Sequence, residues 1–266
     1  MTGWLIYDEV GKKRNAWFIQ SLMEKAQERG ISLFLKIHPD NNILSGDTLP
    51  DFAIIRTICP SLHQFFEAHH IPTFNGKLCA SVANDKWRTY EMCQELGIFQ
   101  MATECLSPAP TIPFPLVVKK VDGHGGTEVY LMPDEETYLP FAHTHDRNHY
   151  IAQAFCSHPG RDMRVYVMGE NILAGILRES HTDFRSNFSL GGEVSVAEVT
   201  PAQRDIIEKI RRYLCFDFVG IDFIYHQNEW VLNEVEDIVG CRMLYACTDL
   251  DVTGLYMDYI KAKLLK

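Results

Sequence analysis

The chain has 266 residues, of which 46% are hydrophobic, enough for packed cores in one large domain or in two to three smaller ones. Its formal charge of −10 argues against nucleic acid or an anionic membrane surface as the main partner. The sequence shows neither a membrane-length apolar run nor a signal-peptide pattern, and its eight cysteines have no CxxC or zinc-type spacing, so a cytoplasmic location with reduced thiols is expected.

The first part of the chain alternates strand-like and helix-like patterns. Extended segments are predicted at 4–7, 32–37 and 52–56, and helices at 16–29, 61–69 and 84–97. This alternation predicts a parallel sheet with helices on its faces. No GxGxxG motif follows the first strand, so a Rossmann-type dinucleotide site is not expected here.

A glycine-rich turn follows the next predicted strand, at 116–119, which ends in Lys119. The turn carries Gly123, Gly125 and Gly126. A strand-end lysine before such a turn is typical of phosphate binding, because loop amides approach the phosphates while the ammonium neutralises them. The Walker A order is absent, and taken alone the element is equally well explained as a β-hairpin turn.

The rest of the chain is predicted to be α+β. Strands are expected at 150–155, 163–168, 172–178 and 194–199, and helices at 201–214 and 253–265. Cations within otherwise apolar strands, or beside glycine turns, indicate an anionic ligand, because an unpaired buried cation is costly. These cations are Lys119, Arg164, Arg178 and Arg185.

Three carboxylates lie in a predicted hairpin whose strands, 218–226 and 230–236, are joined by a three-residue turn. Residues two apart on a strand share a face, so Glu234 and Glu236 point together, and strand pairing can bring Asp222 opposite them. Bare carboxylates would repel one another and raise one another's pKa, so the cluster predicts a bound Mg²⁺ or Mn²⁺. The alternative is a solvated acidic strand end. Lysine, glycine turn, arginines and carboxylates together indicate a nucleoside triphosphate with its cation.

Five motifs in the second part of the chain are specific in order and spacing. They are Gly160-Arg161-Asp162-Met163-Arg164, Asp183-Phe184-Arg185-Ser186-Asn187, Gly191-Gly192, Val219-Gly220-Ile221-Asp222 and Glu234-Val235-Glu236. From about Asn84 onwards the chain resembles the ATP-grasp ligases, and among them the RimK-type glutamate ligases. The resemblance implies an α/β plus α+β fold: a parallel pre-ATP-grasp domain at 1–82, then a two-lobed ATP-grasp domain at 83–266. Its central lobe would span about 83–152 and its C-terminal lobe about 153–266.

The resemblance also implies roles for individual residues. The catalytic positions are matched by Arg185 and Lys119. The ATP-binding positions, with the glycine turn, are Lys86, Lys119, Gly123, Gly125, Gly126, Gln153, Ala154, Phe155, Asp162, Arg185, Ser186 and Asn187. The ligands of Mg²⁺ or Mn²⁺, expected as two ions, are Asp222, Glu234 and Glu236. Candidates for binding a substrate carboxylate are Arg164, Arg178 and Arg242, each with a structural salt bridge as the alternative.

One position departs from the pattern of the family. RimK-type ligases have Glu-x-Asn on the second metal-binding strand, whereas this chain has Glu234-Val235-Glu236 and an altered turn at 238–240. The third carboxylate keeps oxygen ligation but adds negative charge. The altered turn is expected to reshape the acceptor pocket, so the family's specificity for glutamate is not assumed for this chain.

These observations predict an ATP-dependent ligase that joins a carboxylate to an amine through an acyl phosphate, adding an amino acid to a small molecule, a peptide or a protein tail. Such a reaction needs mainly positioned charge, so the absence of a Ser/His/Asp or Cys/His arrangement is consistent with it. Two alternatives stay open: an ATP-binding regulatory module without ligase activity, and a kinase. The expected partners are ATP, a carboxylate substrate and an amine acceptor, without nucleic acid or membrane, and a homo-oligomer is left open.

Overall fold

The computed structural model describes residues 1–39, 48–126, 128–185 and 193–265. Within these ranges the strands form one parallel sheet followed by two antiparallel sheets. The predicted α/β plus α+β architecture is therefore confirmed. None of the helices in these ranges is long and apolar enough to cross a bilayer.

The first 74 residues contain a parallel sheet and its helices, hereafter the N-terminal unit. Its elements are β1 (Thr2–Asp8), α1 (Glu9–Arg14), α2 (Ala16–Glu28), β2 (Ser32–His38), β3 (Phe52–Ile55), α3 (Pro60–Ala68) and β4 (Thr73–Phe74). The strand order is β2-β1-β3-β4. After β1 the chain crosses to β2 on one side, and after β3 it crosses to β4 on the other, so the two connections diverge at the carboxyl ends of β1 and β3. Ligands bind at such switch points in open α/β sheets.

Two short helices connect this unit to the rest of the chain, α4 (Lys77–Ala83) and α5 (Lys86–Glu95). The predicted helix at 84–97 is confirmed in its central part, but its start is wrong. Asn84 follows the last residue of α4, and the side chain of Asp85 caps α5 by accepting a hydrogen bond from the Arg88 amide.

A small antiparallel sheet follows, with strand order β5-β8-β6-β7 once its elements are numbered along the chain. They are β5 (Thr103–Cys105), β6 (Leu116–Lys120), β7 (Val129–Met132), α6 (Glu135–Thr144) and β8 (Tyr150–Ala154). The sheet has its own core, in which Tyr138 of α6 packs with Val118 and Ala152. Strand β8 runs across residue 152, so the predicted lobe boundary falls inside a strand. The domain bounds stay a prediction.

The large antiparallel sheet completes the fold. Its elements are β9 (Arg161–Met168), β10 (Asn171–Glu179), β11 (Glu193–Ala197), α7 (Pro201–Leu214), β12 (Phe218–His226), β13 (Glu229–Glu236), α8 (Arg242–Cys247) and α9 (Val252–Leu264). The strand order is β11-β10-β9-β12-β13. Helix α7 begins with a capping box formed by Thr200 and Gln203, and its apolar stripe of Ile207, Ile210 and Leu214 is buried, as the sequence predicts.

The two faces of the large sheet are covered by different parts of the chain. Helices α4, α5 and α7 pack on one face, where Cys93 and Ile210 share a core with Val165. The other face packs against α8, α9 and the N-terminal unit, where Leu5 and Tyr166 lie in one core. The N-terminal unit and the large sheet are thus joined by continuous apolar packing.

Candidate active site

The hairpin of β12 and β13 positions the predicted metal ligands. Its register pairs Asp222 directly with Glu234. Gln227 and Asn228 form the turn with φ of 49° and 66°, the left-handed conformation that two-residue hairpin turns require. The predicted three-residue turn is wrong by one residue, because Glu229 already belongs to the ladder.

The three predicted metal ligands, Asp222, Glu234 and Glu236, converge and are hereafter the carboxylate cluster. Each offers a carboxylate oxygen, and these oxygens lie within 4.8 Å of one another. Val235, on the opposite face of β13, is buried in one core with Ile221 and Leu232. Hard divalent cations take several carboxylate oxygens as ligands, so these residues fit Mg²⁺ or Mn²⁺, and the assignment stays a prediction.

Two arginines from neighbouring strands neutralise Asp222. Arg164 on β9 donates from Nε to Asp222 Oδ1 and from Nη2 to Oδ2, both at 2.7 Å, and Arg178 on β10 donates from Nη2 to Oδ2 at 2.8 Å. Although burial acts in the opposite direction, the two guanidiniums hold the pKa of Asp222 well below its ordinary value. Arg178 also pairs with Asp162. Arg164 and Arg178, the predicted substrate arginines, are thus paired with carboxylates of the protein, and one of these carboxylates is Asp162, the predicted nucleotide contact.

The other two carboxylates of the cluster differ in their surroundings. Lys86 Nζ lies 3.4 Å from Glu234 Oε2 and, against the effect of burial, lowers the pKa of Glu234. Arg164 Nη2 lies 2.6 Å from Glu236 Oε1. Burial nevertheless raises the pKa of Glu236, and the neighbouring charge of Asp222 adds to the effect. A divalent cation bound at the cluster would favour the charged form of Glu236.

A first cavity lies between the small sheet and the large sheet and borders Glu234. It brings together the predicted ATP-binding residues Lys86, Lys119, Gly123, Gly125, Gly126, Gln153, Ala154, Phe155, Asp162 and Arg185. Ser186 and Asn187 lie outside the described residues. The contacts of these residues with nucleotide remain predictions.

The two predicted ATP-binding lysines border this cavity from opposite sides. Lys119 Nζ donates to Gln153 Oε1 at 2.7 Å and to Asn233 Oδ1 at 2.8 Å, and Lys86 Nζ donates to the Gly123 carbonyl at 2.6 Å. Burial, and to a smaller extent repulsion from Lys86, lowers the pKa of Lys119 to about 8. The two oxygens that Lys119 bonds are neutral amide oxygens, and the nearest acidic influence on it is the charge of Glu234.

Arg185 spans the mouth of the first cavity. Its Nη1 donates to the Gly126 carbonyl at 2.8 Å, while Nη2 donates to Asp183 Oδ2 at 2.8 Å. Gly126 has a φ of 72°, so the turn needs a residue without a side chain there. Beside this contact, Phe184 packs edge-on against Phe155 with 6.0 Å between ring centroids. The glycine turn and the segment around Arg185 therefore close over the cavity together.

A second cavity, of about 400 Å³, lies between the N-terminal unit and the large sheet. Glu236 borders this cavity, whereas Glu234 borders the first one, so the carboxylate cluster lies between the two. His124 and Gly125 of the glycine turn border both. Arg242, a predicted substrate residue, lines the second cavity from the start of α8.

The sequence interpretation missed the part of this cavity that the N-terminal unit contributes. Asp8 is the last residue of β1 and accepts a hydrogen bond from Thr57 Oγ1 at 2.9 Å. Arg56 comes directly after the apolar strand β3 and is only 6% exposed. A cation ending an apolar strand is the signal that drew attention to Lys119, and applied to the first sheet it would have identified Arg56.

The fold is that of the ATP-grasp ligases. A solved structure of a RimK domain ATP-grasp protein from Sphaerobacter thermophilus has a TM-score of 0.74 and 17% identity, covering 98% of this chain and 100% of that chain. An uncharacterized protein of Mycoplasma genitalium is 27% identical over 98% of this chain and 93% of its own length. A ribosomal protein bS6–L-glutamate ligase of Shigella boydii is 28% identical over 90% of each chain.

Residues 94–260 match the profile of the RimK-like ATP-grasp domain. The chain therefore belongs to the RimK-like ATP-grasp family, and the resemblance read from its motifs is confirmed. With that family it is an ATP-grasp ligase, an enzyme of the class that forms C–N bonds.

Proposed function

We propose that this protein joins a carboxylate to an amine in an ATP-dependent reaction with an acyl-phosphate intermediate. The observation that carries the proposal is the position of the carboxylate cluster, with Glu234 bordering the first cavity and Glu236 the second. ATP in the first cavity and a carboxylate substrate in the second would have their reacting groups side by side at the cluster. Lys86 and Lys119 supply positive charge there for the phosphates.

The chemistry follows from this placement. An oxygen of the substrate carboxylate attacks the terminal phosphorus of ATP, the bond from phosphorus to the bridging oxygen breaks, and ADP leaves. The amine nitrogen then attacks the acyl carbon, phosphate leaves with the bonding electrons, and the nitrogen loses a proton to solvent as the amide forms. Arg185, closed onto Gly126, limits the access of water that would hydrolyse the intermediate.

We assign Mg²⁺ or Mn²⁺, as two ions, to the carboxylate cluster. When bound, the cation would offset the negative charge of the phosphates during transfer. Asp222, Glu234 and Glu236 provide the hard oxygen ligands, and Arg164 orients two of them by bonding Asp222 and Glu236 at once.

The residues of the second cavity bear on the identity of the substrates. The name of the Shigella boydii relative gives a ribosomal protein and L-glutamate as its substrates, which makes a protein acceptor one candidate beside a peptide or a small molecule. Here Glu236 replaces the asparagine of RimK-type ligases, and Ile238 and Gly240 of the altered turn line the second cavity. We infer that the residues of this cavity determine which substrate the protein accepts.

The test combines ATP and Mg²⁺ with pools of amino acids and acidic peptides, with and without hydroxylamine. We expect carboxylate-dependent ADP release and an acyl hydroxamate, because hydroxylamine captures an acyl phosphate. A phosphorylated product that resists hydroxylamine would indicate a kinase. Nucleotide binding without turnover on any of the pools would indicate a regulatory module. Glu234→Gln should abolish ADP release, whereas Glu229→Gln, exposed on the same strand, should not.

A further inference from the structure

The second cavity is built at the switch point of the N-terminal sheet. Asp8, Arg56 and Thr57, at the carboxyl ends of β1 and β3, line it on one side, and Arg164 and Glu236 line it on the other. Open α/β sheets bind ligands in this position because the connections that leave neighbouring strands in opposite directions leave a crevice. A volume of about 400 Å³ accommodates a molecule of amino-acid size.

Arg56 is the unusual group in this cavity. Its Nε donates to the Tyr7 hydroxyl at 3.3 Å, its Nη2 donates to the Val239 carbonyl at 2.8 Å, and its guanidinium carbon lies 5.3 Å from the ring centre of Phe18. All three partners are neutral, and no carboxylate of the described residues lies within ion-pair distance. An arginine stays charged at any physiological pH, and a buried charge without a counter-charge is costly.

Two acidic residues of this region, Asp8 and Asp237, hydrogen-bond other groups, although the charge of Arg56 still opposes the rise that burial causes in the pKa of Asp237. Asp8 accepts hydrogen bonds from the Gly11 amide at 2.7 Å and from the Thr57 hydroxyl. Asp237 accepts from Asn75 Nδ2 at 2.6 Å and from Asn84 Nδ2 at 3.3 Å. By contrast, Arg164 and Arg178, which line the same cavity, both bond carboxylates directly. Arg56 therefore has donor capacity directed at the cavity rather than at the protein.

The rim of the cavity adds more positive charge. Arg14 and Arg242 are exposed there, and within the described ranges neither has a carboxylate at ion-pair distance. Three arginines without an acidic partner thus surround a cavity in which Asp8 and Glu236 supply the negative charge. Such a balance favours a ligand with more than one anionic group.

We propose that Arg56 binds the non-reacting carboxylate of a substrate that carries two carboxylates, while the reacting carboxylate lies beside Glu236 and Arg164. This inference rests on the proposed function, since it takes the second cavity to hold the carboxylate substrate. Arg56 determines specificity in this arrangement: its planar fork bonds both oxygens of a carboxylate and fixes which end of the molecule meets the phosphates.

The experiment measures binding and not turnover, so a failure of ligase chemistry cannot be mistaken for a failure of this inference. Glutarate and butyrate, which differ by one carboxylate, are titrated calorimetrically into the full-length protein saturated with ADP and Mg²⁺. We expect the wild type to prefer glutarate by about tenfold or more, since a charge-assisted bidentate contact is worth at least that factor. Arg56→Met should remove most of the preference, and Arg88→Met, at an exposed position outside both cavities, should retain it.

Three results would overturn the proposal: equal affinity of the wild type for glutarate and butyrate, an unchanged preference in Arg56→Met, or tighter binding of inorganic phosphate than of glutarate. If Arg56→Met fails to fold, Arg56→Lys takes its place, because lysine keeps the charge but loses the fork. A glutarate preference reduced severalfold in Arg56→Lys supports the proposal, and a full preference contradicts it.

Discussion

Arg164 and Glu236 form an ion pair of 2.6 Å at the boundary between the two cavities. The pair requires the carboxylate at position 236, where the resemblance to RimK-type ligases implies an asparagine. Arg164 is only 7% exposed and also bonds Asp222 through two nitrogens, so the contact is largely shielded from water. The charge of Glu236 is thereby shared between an arginine of the protein and the cation proposed for the cluster.

Replacing Glu236 by glutamine tests how this charge is divided. The amide keeps the size of the side chain but is a weaker ligand for a hard cation, so we expect the Mg²⁺ concentration for half-maximal ATP turnover to rise about tenfold. The measurement is a Mg²⁺ titration of ADP release, with Glu229→Gln as the control on the same strand. An unchanged Mg²⁺ requirement would mean that Glu236 forms the ion pair with Arg164 but does not bind the cation.

Lys119 is expected to make the affinity for nucleotide depend on pH. Because burial lowers its pKa to about 8, the ammonium loses its proton as the pH rises through that value, and the attraction for phosphate is lost with it. If only the protonated form binds well, ATP affinity should fall about tenfold between about pH 7 and pH 9. Calorimetric titration with ATP measures this. Lys119→Arg, which stays charged, should flatten the profile, and an equally steep profile in that variant would assign the titration to another group.

Arg185 is expected to act in the phosphoryl-transfer step. Arg185→Ala removes a positive charge from the mouth of the first cavity and its hydrogen bond to Gly126. We expect kcat to fall about 100-fold, with a smaller change in the KM for ATP, because the charge is needed most when the phosphoryl group moves. Arg212→Ala, at an exposed arginine paired with Glu208, is the control for loss of a surface cation. A rise in KM at constant kcat would limit Arg185 to ground-state binding.

His63 is expected to make the free energy of unfolding decrease as the pH falls. Its side chain is 5% exposed, its Nδ1 has no hydrogen-bond partner in the described part of the chain, and burial lowers its pKa to about 4 from an ordinary 6.5. The unfolded chain binds the proton first, so the stabilisation is complete above about pH 6.5 and is lost as the pH falls towards 4. Urea unfolding should show a loss of about 2 kcal/mol between about pH 7 and pH 5 from this group.

The matched variants for this effect are His63→Leu and His69→Gln, of which only the first removes a buried imidazole. His63→Leu should lose that share of the acid sensitivity, and His69→Gln should keep it. Equal pH dependence in both variants and the wild type would place the acid sensitivity elsewhere in the protein.

The parts of the site that were predictable from sequence are those formed by residues close along the chain. The shared face of Glu234 and Glu236 is predicted correctly from the alternation of the strand, but the pairing of Asp222 with Glu234 depends on a register shift between Asp222 and Phe223 that the sequence analysis did not predict. The ion pairs of Arg164 and Arg178 with Asp222 could not be predicted in this way. Arg164 is 58 residues from Asp222, and which strand lies beside which is not contained in the period of either strand.

The second cavity was unpredictable for the same reason, since its walls come from distant segments: Arg56 bonds Val239, 183 residues away. Helix α6 was missed because Pro140 lies inside it and its apolar pattern is weak, so its formation depends on packing against the small sheet. Local sequence patterns therefore predicted which residues are candidate ligands. The pairing of distant strands determines which of these residues lie close together.

The apolar packing between the N-terminal unit and the large sheet limits how this enzyme can be dissected. Asn75 bonds the Phe218 carbonyl at 2.8 Å and Asp237, so trimming the chain to begin near residue 83 would strip this amide from a buried carboxylate and leave Tyr166 facing water. The small sheet has a core of its own. A chimera with a relative is best made by exchanging the small sheet, with strand β1 and the hairpin of β12 and β13 taken from one parent.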